Sequence, residues 1–180
     1  MKLLLLITLG IHYLFASSIS NKILQLYEQK NYIQACDLGA NNLNILIENE
    51  SYLSLYAFSC LKADYIDRLN TPLIFLNQTP EARANASYFS MLVLQKKLLL
   101  QSLYDNTSIR YLNFPTSSHL LSKVFALYVK SPQMDRSIKE YNDPSNARNS
   151  YKLYTTQFNG KKTIAIDEYY DKILILHHTY

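Results

Sequence analysis

The chain has 180 residues, of which 48% are apolar and 18% charged, with a formal net charge of +4, three glycines and five prolines. That apolar share sustains a folded core and excludes wholesale disorder, and the scarcity of Gly and Pro excludes collagen-like and linker-like chains. So small a net charge does not mark nucleic acid as the main partner, and so little glycine weighs against a pure sandwich or barrel, whose tight turns consume it.

Met1 and Lys2 open an apolar run from Leu3 to Ala16, with small residues at Ala16, Ser17 and Ser18. One positive charge, about a dozen apolar residues and a small-residue site follow the order of a secretory signal. The run is short of the roughly 20 residues that a spanning helix needs, and His12 interrupts it. The sequence predicts a signal peptide over residues 1–18, cut after Ala16 or Ser18, and an extracytoplasmic chain, periplasmic or secreted. The alternative is an uncleaved N-terminal anchor.

From residue 19 to about 77 the pattern is one of short helices. Ile23, Leu24, Leu26 and Tyr27 recur at helical spacing, as do Ile33, Cys36, Ala40, Leu43 and Ile47, then Tyr52, Leu55, Tyr56, Ser59 and Cys60. Thr71-Pro72 is expected to break or kink the next helix. Cys36 and Cys60 lie on two helices joined by a turn near Glu48–Glu50. At about 1.5 Å per residue an antiparallel hairpin sets them at similar heights. An even cysteine count in an exported chain then predicts a Cys36–Cys60 disulfide. Two small side chains buried in a helix interface are the alternative.

Thr79-Pro80-Glu81 begins the clearest helix, with a capping hydroxyl, Pro at the first helical position and an acid at the positive dipole end. It is expected to run to about Tyr104 and to bury Tyr88, Met91, Leu92, Leu98, Leu99 and Leu103. A second helix is expected from Ser117-Ser118 to Ser131-Pro132, and a short one from Gln133 to Tyr141. Residues 142–150, rich in Asn, Ser and Pro, read as an exposed loop and a domain boundary. Residues 151–180 read as a β-hairpin or three-stranded meander turning at Asn159-Gly160. A second turn is expected over Asp167–Asp171, with Ile173–Leu176 as the third strand. The predicted architecture is therefore mainly α: stacked helical hairpins over 19–141 with a small C-terminal β appendage packed on them.

Leu26-Tyr27-Glu28-Gln29-Lys30-Asn31-Tyr32-Ile33-Gln34-Ala35 resembles the middle of a tetratricopeptide repeat, matching at Leu26, Tyr27, Tyr32 and Ala35. Cys60 to Arg68 repeats part of it, with Tyr65 falling 33 residues after Tyr32, against a family period of about 34. Lys30 stands where Gly is common, Gly39 where an aromatic is common, and Arg68 in place of the small Ala. The resemblance covers residues 21–77. It implies helix pairs that present a binding or scaffolding surface. An irregular helical bundle is the competing reading.

No phosphate-binding glycine loop, His-Glu-x-x-His, Cys-x-x-Cys or Gly-x-Ser-x-Gly motif occurs. His177 and His178 are neighbours on a predicted strand, so they point to opposite faces and chelate poorly. No catalytic group, metal or cofactor is therefore assigned. The chain's unusual resource is its 16 tyrosines. Tyrosine gives wide contact area at small entropic cost, which suits interfaces. Lys152, Tyr154, Lys161, Lys162, Tyr169 and Tyr170 are the candidate partner-binding surface. The sequence points to an exported, non-catalytic protein-binding adaptor or assembly factor of the cell envelope. Its partner would be another envelope or secreted protein, with no nucleic acid, and membrane contact only through the N-terminal segment. The alternatives are a small secreted hydrolase using His119 or Glu168, and a membrane-accessory protein that keeps its N-terminal helix.

Overall fold

The computed structural model describes residues 19–131 and 138–180. The expected signal peptide, and residues 133–137 of the short helix expected from Gln133 to Tyr141, lie outside the described residues. The chain divides between Ser90 and Met91 into two compact units.

The first unit contains helical residues 19–28 (α1), α2 (Tyr32–Asn41), α3 (Leu43–Leu46), α4 (Glu50–Lys62), a 3-10 turn (Ile66–Leu69), α5 (Asn70–Phe75) and the start of α6 (Pro80–Asp105). Lys30 and Asp64 take left-handed φ values of 60° and 64° just past α1 and α4. There they close the helix ends, with Asn31 N–H on Leu26 O and Tyr65 N–H on Cys60 O. α2 and α4 form the central pair, and Ala35, Cys36, Gly39, Leu53, Tyr56, Ala57 and Cys60 are buried. Ile33, expected on this stripe, is exposed. Cys36 and Cys60 form a disulfide with Cα atoms 4.7 Å apart. Asn49 caps α4, its side chain accepting from Ser51 and Tyr52 N–H. Glu50 instead reaches the loop before α6, taking the N–H groups of Asn77, Gln78 and Thr79 on its carboxylate. Burial opposes ionisation there, but the backbone donors outweigh it and lower the Glu50 pKa. Pro72 does not break a helix. It lies in the first turn of α5, where a missing N–H costs little. Phe58, Tyr88 and Phe89 stack into an aromatic cluster between α4 and the start of α6.

The second unit contains the rest of α6, then α7 (Leu120–Lys130) and four strands: β1 (Ile138–Asp143), β2 (Asn146–Phe158), β3 (Lys161–Tyr170) and β4 (Ile173–Thr179). They form one antiparallel sheet in the order β1-β2-β3-β4. This overturns the expected mainly α fold with a small appendage, because the sheet is a principal part of its unit. The expected loop at 142–150 is the β1–β2 hairpin. Asp143 accepts the Ser145 N–H and hydroxyl, making an Asx turn around Pro144-Ser145. Beyond the turn, Glu140 and Lys152 form an ion pair at their register position. Residues 138–141, expected as helix, belong to β1. Asp167–Tyr170, expected as a turn, continue β3, and the turn comes at Asp171-Lys172.

Thr163 to Asp167 are buried on both faces of β3, which explains the unbroken apolar run Ile164–Ile166. The Tyr104 hydroxyl at the end of α6 lies 2.7 Å from Thr156 O and 3.1 Å from Thr163 O, fixing the helix end to β2 and β3. On α6 the buried side chains include Leu92, Val93, Gln95, Leu99 and Ser102, whereas Met91, Leu98 and Leu103 are half-buried. α7 is capped by His119, whose Nδ1 accepts from Leu121 N–H, rather than by Ser117 or Ser118. Leu121, Val124 and Phe125 are its buried residues, and Phe125 meets Phe114 edge-on.

Candidate functional site

Among the described residues β4 pairs only with β3, so it forms an edge of the sheet. Tyr180 N–H bonds Ile164 O at 3.0 Å. Antiparallel pairing alternates, so His178 also faces β3, and the N–H and C=O of His177 and Thr179 turn outward. Ile173, Leu174, Ile175 and Leu176 are 69%, 52%, 52% and 53% exposed. Natural sheets usually blunt an edge of this kind with charge or Pro. From Ile173 to Thr179 this strand has neither Asp, Glu, Lys, Arg nor Pro, but its register with β3 shifts between Glu168 and Tyr169 and passes over Ile175, so a bulge interrupts the edge within the apolar run.

Polar side chains fasten this edge from one face. Asp167 and His177 are register partners, and His177 Nδ1 lies 2.6 Å from Asp167 Oδ1. Thr179 Oγ1 lies 3.1 Å from His177 Nε2. Tyr154 donates to both Asp167 oxygens, at 3.3 and 3.2 Å. Burial and the Asp167 charge together raise the Tyr154 pKa, so it remains a donor. If Nδ1 donates to the carboxylate, Nε2 accepts the Thr179 hydroxyl proton, and the order is carboxylate, imidazole, hydroxyl. That order orients the imidazole and ties β4 to β3 and β2. On the opposite face His178 Nε2 lies 3.0 Å from Glu168 Oε1, and its ring stacks on Tyr180. The two histidines thus serve different carboxylates. His119 and Glu168, the residues named for a hydrolase, act as a helix cap and as this His178 partner.

The six partner-binding candidates do not form one patch, because strand alternation divides them. Register places Lys152, Tyr154, Lys161 and Tyr169 on the face of Asp167 and His177. Lys152 Nζ sits 5.1 Å from the Tyr169 ring centre as well as pairing with Glu140. Lys162 and Tyr170 fall on the other face, where Lys162 lies over the Tyr104 ring and Arg148 over Tyr170.

A separate cleft of about 260 Å³ lies between α7 and the β1–β2 hairpin, edged by Lys123, Lys130, Ser117 and Thr116 and containing Asp143 and Tyr151. Tyr151 donates to Asp143 at 2.6 Å. The Ser145 and Tyr151 hydrogen bonds hold the Asp143 carboxyl down at about 2, against the opposing effect of burial.

Sequence reasoning missed the edge run Ile173–Leu176 as a surface. Four apolar residues in a row signal a buried strand as readily as an exposed one. Nor does it reveal the Asp167–His177–Thr179 chain, because Asp167 opens the segment expected as a turn and belongs to β3. No group of three or more His, Cys, Asp or Glu side chains suited to a metal occurs among the described residues, and no described helix is long and apolar enough to cross a membrane. Compared with protein-family models, curated proteins and solved structures, the chain matches none.

Proposed function

We propose that this protein is an extracytoplasmic, non-catalytic binding module, an adaptor or assembly factor, that docks an extended segment of a partner protein along the outer edge of β4. The observation that carries the reading is the run of four apolar side chains, each more than half exposed, on a strand that pairs with β3 alone among the described residues. Strand addition supplies main-chain hydrogen bonds for affinity, and side chains on alternate faces supply specificity. The Asp167, His177, Thr179 and Tyr154 contacts hold the edge extended, which lowers the ordering cost of binding. The Cys36–Cys60 disulfide fits a chain that works in an oxidising compartment.

Selection of displayed peptides on the immobilised, disulfide-intact protein tests this. Selected sequences should be extended and apolar at alternate positions, and Ile175→Asp, which puts a charge into the exposed apolar run, should abolish their binding. Peptides that bind the Ile175→Asp protein equally well, or no enrichment at all, would overturn the reading.

A further inference from the structure

The geometry points to the cleft between α7 and the β1–β2 hairpin as a binding site for a small organic carboxylate, a monoanionic head on a short apolar body. The cleft lies within the second unit and none of its residues belongs to β4. Lys123 and Lys130 both edge it. They stand seven positions apart on α7, so they share one helix face, two turns and about 10 Å apart along the axis. Both are exposed. Among the described residues neither forms a hydrogen bond or an ion pair. Their long, flexible stems let the two ammonium groups converge on one anion lying over Ala126 and Leu127, which fall between them.

Asp143 decides the charge of the ligand. Its carboxylate is 7% exposed and turned to its own chain: Oδ1 accepts the Ser145 N–H and hydroxyl, and Oδ2 accepts the Tyr151 hydroxyl. It is supplied with donors and calls for no added cation. Two ammonium groups against this one carboxylate leave a single positive charge in the cleft. A monoanion balances it, whereas a phosphate monoester dianion would set an unbalanced negative charge beside Asp143. Half-buried Ala126 and Leu127, with the Pro144 ring, supply the apolar wall. The volume of about 260 Å³ exceeds the roughly 150 Å³ that holds a benzene ring and falls short of the roughly 300 Å³ at which pockets for drug-sized ligands begin. The rim is held before any ligand arrives: Ser117 N–H bonds Ser122 Oγ and Ser117 Oγ accepts the His119 N–H. Little ordering is then left for binding to impose.

NMR titration of the isotope-labelled, disulfide-intact protein with hexanoate tests the inference. Hexanoate should shift the amides of α7 and the β1–β2 hairpin saturably in the millimolar range. Hexyl phosphate should bind more weakly, and hexylammonium should not bind. Lys123→Gln and Lys130→Gln should each weaken hexanoate about tenfold at low salt. Both changes fall at exposed positions, and unchanged amide shifts outside the cleft would show that the variants fold. An acetylated peptide ending in a free leucine carboxylate separates two sources of the group: competition with hexanoate assigns a chain end, and no competition assigns a free acid. No saturable shift with hexanoate, equal binding of hexylammonium, tighter binding of hexyl phosphate, or affinity indifferent to both lysine substitutions overturns the inference. Such a failure leaves the β4 edge reading standing, because Ile175→Asp touches no residue of the cleft.

Discussion

The Tyr56 ring packs directly on the backbone of Gly39: a Cβ added to Gly39 would lie 2.3 Å from Tyr56 Cδ2. One turn earlier on α2, Cys36 is bonded to Cys60, one turn beyond Tyr56 on α4, with the Cα atoms 4.7 Å apart. The two helices approach this closely because the facing residues are small.

Gly39→Ala should therefore destabilise the first unit although Ala is the better helix former. The helical preference for Ala over Gly is about 1 kcal/mol. Tyr56 is 2% exposed and its ring has little room to move away. Overpacking of a full core costs about 1–3 kcal/mol, so the net change should be a loss. Urea unfolding of the two proteins measures it, and an equal or higher midpoint for Gly39→Ala would contradict the close packing.

The disulfide spans a sequence separation of 24 residues. Restricting the unfolded chain by a loop of that size contributes about 3 kcal/mol. Reduction, or the paired change Cys36→Ser with Cys60→Ser, should lower the unfolding midpoint accordingly. A midpoint unmoved by reductant, with both thiols shown free by alkylation, would contradict this.

What was legible in the sequence was what depended on local spacing. Thr79-Pro80-Glu81 announced α6, and Asn159-Gly160 announced a two-residue hairpin whose φ values are 50° and 73°. Cys36 and Cys60 were readable from helix rise. What was not legible depended on a neighbouring strand. β1, Ile-Lys-Glu-Tyr-Asn-Asp, has no apolar alternation and extends through its pairing with β2. Asp143-Pro-Ser-Asn has the composition of a loop and acts as turn chemistry between two strands. The second hairpin was misplaced for a similar reason: Asp171 and Lys172 both adopt positive φ without a glycine. The candidate surface was readable in its residue types and not in its division between two faces, which register alone decides.

Lys172→Gly should stabilise the β3–β4 hairpin. Lys172 has φ 66° and Asp171 φ 49°, the left-handed pair that favours glycine at the second position. Left-handed backbone costs a side-chain-bearing residue about 1–2 kcal/mol. The added freedom of Gly in the unfolded chain offsets about half to all of 1 kcal/mol. The expected net gain is up to about 1 kcal/mol. Asp171 should not be changed with it, because Arg148 grips its carboxylate and stacks on Tyr170 at 4.1 Å. Thermal unfolding measures the gain, and a lower midpoint would place the turn strain elsewhere.

Asp143 sets an acid limit on the second unit. Its carboxyl ordinarily titrates near 3.8, and the Ser145 and Tyr151 hydrogen bonds bring it down to about 2 in the folded chain. A lowered folded value means that the unfolded chain binds the proton first. The stabilisation is therefore complete above about pH 4 and lost as the pH falls toward about 2. Asp143 is 7% exposed, and a lowering of this size is worth on the order of 2 kcal/mol. Tyr151 works in the opposite direction at the alkaline end. Burial and its bond to Asp143 push the hydroxyl above its ordinary value of 10.0, so the folded state loses ground once the unfolded tyrosine ionises above that pH. Asp143→Asn should remove this carboxylate's share of the acid-side slope from a stability–pH profile and reduce, without abolishing, the basic-side loss, because burial still raises Tyr151. Tyr151→Phe should reduce the acid-side slope and abolish this tyrosine's share of the basic one. Profiles of wild type and both variants that coincide between pH 2 and 4 would mean that the hairpin carboxylate does not couple to folding.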